Sequence, residues 1–255
     1  MSQPIRKILY LYHLIINQII ADMKTINWSG RKWITQERWG EYHPDKLNVW
    51  FDETAVKINN SGHLELSVHI NPKVFHTGGN TVKIPIGIGM VSCTDKLGYG
   101  LYEIEAKLPV GKNLYPTFWM YSFDSWPPEI DVFEAVSDNN YFRPFMDGVF
   151  SIWALKSNVH YDENGAHKDI KGRQGWFGLK NPGKHFMKYS VLWTPDKIEI
   201  KYNGNIVRTI TEPKIVGQMR GKKMNVLIGH AITDNNTSFF MKTPYIIRSF
   251  RYAAQ

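Results

Sequence analysis

Cysteine is almost absent. Cys93 stands alone in 255 residues, so an internal disulfide, a dithiol redox pair and a cysteine-built zinc site are all excluded, and the fold must stand on packing. Internal repeats of 34 or 40 residues and low-complexity tracts are missing too, which argues against solenoids and propellers. Zinc-finger spacing, a basic helix and an RNA-binding motif cannot be found either. The formal charge is +8, and a positive field steers anionic partners such as a sulfated glycan or a membrane surface. The basic residues are nevertheless scattered, with small clusters only at "KGR" (171–173) and "MRGKK" (219–223), and nucleic acid is not an expected partner.

Long apolar runs are also lacking. The nearest, "ILYLYHLIINQIIADM" (8–23), is broken by His13, Asn17 and Gln18, too short and too polar for stable membrane insertion. Two readings stay open for residues 1–24. Arg6 and Lys7 before an apolar stretch have the order of a leader peptide, though a poor cleavage site follows; Ile8, Tyr12, Ile15, Ile16 and Ile19 recur at helical spacing and suit a helix docked on the domain. The remainder, 25–255, is of a size that an all-β domain fills undivided.

What is abundant is aromatic. Aromatics make up 14% of the chain, with nine Trp, against 21% charged residues: a globular composition. From residue 27 onward the apolar residues recur with period two. "HLELSVHI" (63–70) sets Leu64, Leu66, Val68 and Ile70 against a polar face, "YEIEAKL" (102–108) alternates with Glu103, Glu105 and Lys107, and "KIEIKY" (197–202) follows the same rule. "YNGN" predicts a two-residue hairpin turn spanning about 197–210, because Asn203 and Gly204 tolerate positive φ. Short strands with turns every 8–12 residues predict an all-β fold, a jelly-roll sandwich of two curved antiparallel sheets. "YPTFWMYSF" (115–123) and "EIDVFEAV" (129–136) break the alternation, being apolar almost throughout. Such strands are covered on both faces, and an aromatic-floored ligand cleft is one way to cover the outer one.

The second of these segments carries Glu129, Asp131 and Glu134. In a regular strand Glu129 and Asp131 share a face and Glu134 lies on the other, in the core, where an unpaired carboxylate is heavily penalised. A β-bulge near Val132 and Phe133 restores the parity: all three acids then project from one face, with Ile130 and one of the Val132/Phe133 pair inward. Crowded acids repel and shift one another's pKa, which suits catalysis. Glycoside hydrolysis needs a carboxylate and a carboxylic acid, about 5–5.5 Å apart for the retaining route, and Asp131 between the glutamates can hold one ionised and one protonated. A solvated edge-strand face and a cation site of oxygen ligands are the alternatives. Trp119 and Trp126 flank the segment and offer indole faces for sugar rings.

"EIDVFE" resembles the ExDxxE motif of glycoside hydrolase family 16, the laminarinase, agarase and carrageenase group. "GMVSCTDKLGYGLYEIEAKLPVGKNLYPTFWMYSFDSWPPEIDVFEAVSD" is similar to that family's central block, "YSVLWTPDKIEIKYNGNIV" (189–207) to its W-T-P-D-x-I strand pair and "IIRSFRYA" to its last strand, so the resemblance spans about 33–253. It implies a β-jelly roll and a retaining, endo-acting hydrolase with Glu129 as nucleophile, Asp131 as the residue that orients and tunes it, and Glu134 as general acid/base. His160, in "SNVHYDENG", falls where many members have a histidine beside the acid/base. Arg143, in "NNYFRPF", and Arg38 and Trp39, in "QERWG", are further candidates for contact with sugar. The family divides over β-1,3-glucans, mixed-linkage glucans and galactans such as agarose, porphyran and carrageenan. A neutral β-glucan is the expected substrate and a sulfated galactan the alternative. A glycan-binding or virion or surface protein on the same fold is a further alternative, which the intact acids disfavour. No cofactor is implied as required, a structural calcium is compatible with the family, and the expected protein is a secreted monomer.

Overall fold

The computed structural model describes residues 24–38, 40–43, 48–77, 79–137, 142–145, 150–176, 180–233 and 238–255, and of 77, 142–145, 150–154, 171 and 173–176 the backbone alone. Two antiparallel sheets face each other. The larger runs Thr25–Trp28, Arg31–Ile34, Met90–Cys93, Met224–Ile232, Leu114–Ser122, Glu129–Glu134, Phe150–Glu163 and Phe142–Phe145, with Ala166–Trp176 also on Phe150–Glu163. The smaller runs Asn205–Ile210, Ile198–Tyr202, Met187–Trp193, Gly100–Lys107, Tyr245–Ala254, Leu64–Leu66 and Val56–Ile58. This is the expected jelly-roll sandwich.

Alternation makes the core. In Gly100–Lys107 every second residue is buried, so Tyr102, Ile104 and Ala106 meet Phe118, Met120, Ile130, Val132, Phe133, Val226 and Ile228 from the opposite sheet. Each large apolar side chain buried in this layer contributes about 1.5–3 kcal/mol. The "YNGN" hairpin forms as its turn chemistry requires: Asn203 and Gly204 take φ of 51° and 86°, and Tyr202 pairs with Asn205.

One stretch departs from the expected pattern. "HLELSVHI" is not one strand with one buried face, because the chain changes sheets at Ser67, whose N–H donates to Ala55 O and whose carbonyl accepts from Gly89 N. Leu64–Leu66 stays in the seven-stranded sheet, whereas Val68–Thr77 joins Asn80–Ile88 and Val49–Phe51 in a three-stranded sheet that contains a parallel pair. Leu64, Leu66 and Val68 are buried and Ile70 is 73% exposed. The small sheet matters for position. Its Phe51, Val68, Ile86 and Ile88 pack with Leu114, Tyr121 and Leu227 from the outer face of the large sheet, covering part of that face and leaving a cleft over the rest.

Candidate active site

The floor of the cleft is the pair Leu114–Ser122 and Glu129–Glu134. Phe118 pairs with Phe133 and Trp119 with Asp131, so Val132 has no partner on that side. On the other side Asp131 pairs with Asn158 and Glu134 with Lys156, three steps against two. That is the bulge the spacing of the acids predicts. Both Val132 and Phe133 are fully buried, rather than one of them, since the two bulged residues oppose a single partner and turn together into the core. Tyr202 reaches across from the facing sheet and donates its hydroxyl to the Val132 carbonyl at 2.7 Å. Glu129, Asp131 and Glu134 all line the cleft.

Depth separates the acids. Asp131 is 2% exposed, and burial first, then the charge of Glu134, pushes its carboxyl well above the usual range. Burial likewise pushes Glu129 up to about 8, reinforced by the charge of Asp131 and opposed by His160 and Trp126. The two carboxyls hydrogen-bond to each other, so they titrate as a pair, both pushed upward by burial. Glu129 is the member better served as an anion. Trp126 Nε1 donates to its Oε2 at 2.8 Å, and His160 Nε2 lies 3.6 Å from its Oε1 and 3.2 Å from Asp131 Oδ2.

The walls of this cleft of about 900 Å³ come from several elements. Trp119 lies stacked on Tyr121, centroids 5.4 Å apart, and both line it. Trp126 stands at the rim, 53% exposed, its ring 4.6 Å from that of His167. His160 sits opposite Glu129 in register. Arg38 turns away: its guanidinium lies 3.4 Å from the centroid of the Phe123 ring and donates to Phe123 O. Arg143 lies in Phe142–Phe145, paired with Ile152 at the sheet's edge, its side chain being outside the described residues, as are Trp39 and 1–23.

Sequence reasoning passed over Glu37, the neighbour of Arg38. It is 1% exposed and lines the cleft, and burial, with the charge of Glu129 second, pushes its carboxyl far above the usual range. A lone acid in a loop gives no sign of this. His167 was missed as well; the hairpin that pairs His160 with Asp169 brings it beside His160. The cleft lining thus holds five acids, Glu37, Glu41, Glu129, Asp131 and Glu134, and among the described residues no lysine or arginine. Among the described residues one group of three acids and histidines lies within ligating reach of one another, Glu129, Asp131 and His160. That mixed set does not fit calcium, which takes six to eight oxygens.

The sequence pattern of glycosyl hydrolases family 16 matches residues 43–242. The chain belongs to that family. It is 26% identical over 212 residues to the endo-1,3-1,4-beta-glycanase ExsH of Rhizobium meliloti (strain 1021), covering 79% of this chain and 42% of that protein; it therefore spans less than half the length of that relative. Among solved structures it resembles LamAcat from Zobellia galactanivorans, with a TM-score of 0.63 at 15% identity over 86% of this chain and 90% of that one. The kappa-carrageenase of Pseudoalteromonas carrageenovora gives 0.56 at 17% identity over 84% and 88%. At these identities the likeness shows the shared fold of this hydrolase family.

Proposed function

We propose that this family 16 protein is a retaining, endo-acting glycoside hydrolase of a neutral β-glucan, with 1,3 or mixed linkages. The observation that carries the reading is the bulge, which presents Glu129, Asp131 and Glu134 together on the floor of an open, aromatic-lined cleft. Glu129, held by Trp126 Nε1–H, attacks the anomeric carbon while Glu134 protonates the departing oxygen; Glu134 then takes a proton from the water that releases the glycosyl-enzyme. Asp131, by its hydrogen bond, fixes the Glu129 carboxylate in its attacking position. Endo action implies a polymeric substrate, and a polymeric substrate implies work outside the cell.

The acids of the lining favour a neutral sugar over a sulfated one. A sulfate among five carboxyl groups meets no positive partner from the described lining residues, whereas sugar hydroxyls donate to carboxylates and present C–H faces to Trp119 and Trp126. The competing galactan reading rests on the net charge of +8. A polysaccharide panel of laminarin, lichenan, agarose, porphyran and κ-carrageenan with product sizing decides between them. Oligosaccharides released from laminarin or lichenan are the expected result, and release from a galactan alone overturns the substrate assignment. Glu129→Ala should abolish turnover with binding retained; undiminished product yield would sink the mechanism.

A further inference from the structure

A bulge in the facing sheet turns a cation inward. The turn at Asn203–Gly204 sets Tyr202 against Asn205 and Lys201 against Ile206. A regular hairpin would continue with Ile200 against Val207 and Glu199 against Arg208, which places the guanidinium on the outer face beside a carboxylate. The register slips instead, so that Ile200 pairs with Arg208 and Ile198 with Ile210, and the burial along Asn205–Ile210 follows. On the inward face the slip replaces Val207 and Thr209 by Arg208 and Ile210. One aliphatic side chain stands in for another, but a charge stands in for a hydroxyl. Arg208 is 4% exposed, while Glu199 takes Lys197 and Lys201 as partners at 3.1 and 2.9 Å. An enclosed charge is heavily penalised unless it is paired and hydrogen-bonded.

What Arg208 meets is the back of the cleft floor. Its Nη1 donates to Ser157 O at 2.7 Å. Ser157 lies between Asn158, the partner of Asp131, and Lys156, the partner of Glu134, and so stands opposite the bulged Val132 and Phe133. Tyr202, from the same hairpin, donates to Val132 O and hydrogen-bonds with the Ser157 side chain. The hairpin thus ties both strands at the bulge from behind, with a neutral hydroxyl and with a charge. That charge acts through the sheet: Glu134 and Asp169 raise the Asp131 carboxyl, whereas Arg208 lowers it. The other groups facing Asp131 are Glu129, through a hydrogen bond, and His160 Nε2 at 3.2 Å; burial keeps the Tyr202 hydroxyl protonated. We propose that Arg208 is a positioning residue for hydrolysis, a fixed positive charge behind the floor that favours the ionised form of the Glu129–Asp131 pair and holds the bulge through Ser157 O. Five acids in the cleft lining oppose that ionisation. A guanidinium keeps its charge at any working pH, and in the core it is little screened by salt.

This role rests on Glu129 being the nucleophile, so Glu129→Ala is assayed beside the Arg208 variants. Arg208→Gln keeps an N–H donor for Ser157 O and removes the charge, whereas Arg208→Lys keeps the charge. The pH profile of kcat/KM on the preferred glucan is recorded for each, with thermal melts to confirm the fold. The acid limb of Arg208→Gln should lie about 1 pH unit above wild type, the low end of what a neighbouring opposite charge does to a carboxyl, so that kcat/KM below both limbs falls about tenfold. Arg208→Lys should restore the limb to its wild-type position. A limb unmoved in Arg208→Gln, or moved as far in Arg208→Lys, leaves Arg208 a structural residue and overturns the role. If Arg208→Gln does not fold, the wild-type chain decides. With isotope-labelled arginine, the Arg208 Nε resonance, assigned through its own backbone amide, should shift with the same apparent pKa as the acid limb; a resonance indifferent to pH overturns the role. An inactive Glu129→Ala beside an unmoved limb in Arg208→Gln refutes Arg208 and leaves the nucleophile standing, whereas undiminished product from Glu129→Ala overturns both.

Discussion

Tyr202→Phe tests whether the bulge is held from across the core. The Tyr202 hydroxyl donates to Val132 O at 2.7 Å, at the one residue of the motif strand that its neighbour Leu114–Ser122 leaves unpaired. The substitution keeps the ring, its edge-on packing against Tyr189 at 5.8 Å and the apolar volume of a fully buried site. What is lost is the hydroxyl, with its hydrogen bond to Val132 O and its hydrogen bond with the Ser157 side chain, which leaves a buried carbonyl without this donor at a cost of about 1–3 kcal/mol. At about 2 kcal/mol the melting temperature of a chain this size falls by about 4–8 °C. Catalysis should suffer too, because a relaxed bulge lets Asp131 and Glu134 drift relative to the sugar, and a shift of about 1 Å costs up to about 100-fold in rate. Urea denaturation followed by tryptophan fluorescence gives the first number, and kcat on the preferred glucan gives the second with KM little changed. A stability loss below about 0.5 kcal/mol, the level of an ordinary surface change, together with unchanged kcat, refutes the argument that Tyr202 fixes the acids.

Trp126→Phe removes the N–H that lowers the pKa of Glu129, so the acid limb of kcat/KM should move to higher pH and kcat/KM fall about tenfold, as for one lost hydrogen bond to a charged group; an unmoved acid limb refutes the tuning. Glu37→Gln concerns a group protonated in the fold at pH values where the unfolded chain ionises it. Wild-type stability therefore declines as pH rises above about 4.3, the unfolded value. The glutamine variant escapes that decline and should melt higher at pH 7, with the difference vanishing below about pH 4; equal melting at pH 7 would show that Glu37 is ionised in the fold. Asp52 has the opposite sign. Burial would raise its carboxyl, but hydrogen bonds from Thr54, Asn71 and His69 outweigh it and hold it low. Asp52→Asn should thus lose about 1–3 kcal/mol at pH 7, and the gap to wild type should close as pH falls below about 3.9 and through the lower folded value, as measured by urea melts across pH.

The parts of this molecule legible in the sequence are those fixed by local periodicity. Alternation located Gly100–Lys107, and Asn203–Gly204 located a hairpin, because both depend on neighbours within a few residues. The acid spacing of two and then three was enough to require a bulge, since parity along a strand is an integer and a core does not accept a bare carboxylate. Which side chains the bulge turns inward was not legible, for that depends on room between the sheets, and the core takes both Val132 and Phe133. Ile70 was misread because its chain leaves one sheet for another at Ser67, a decision made by Ala55 and Gly89, distant in sequence. Glu37 and Arg38 illustrate the same limit at the site: adjacent in sequence, one is buried toward Glu129 and the other laid over Phe123.

The net charge shows how a summed property can mislead about a local one. Thirty-one basic against twenty-three acidic residues make the chain positive, yet the described lining of the cleft is acidic throughout its charged positions. At an ionic strength of 0.1 M exposed charges are screened beyond about 10 Å, so scattered surface lysines contribute little to the potential felt by a sugar on the cleft floor. A neutral glucan bound there by rings and hydroxyl contacts should therefore show a KM that changes less than about twofold between 50 and 500 mM NaCl. Any affinity for a sulfated polymer resides on the basic exterior and should fall steeply over the same range, because it depends on exposed ion pairs. A KM for the cleaved polymer that rises tenfold with salt would mean that the substrate is held by charge, and would transfer the assignment from neutral glucan to anionic galactan.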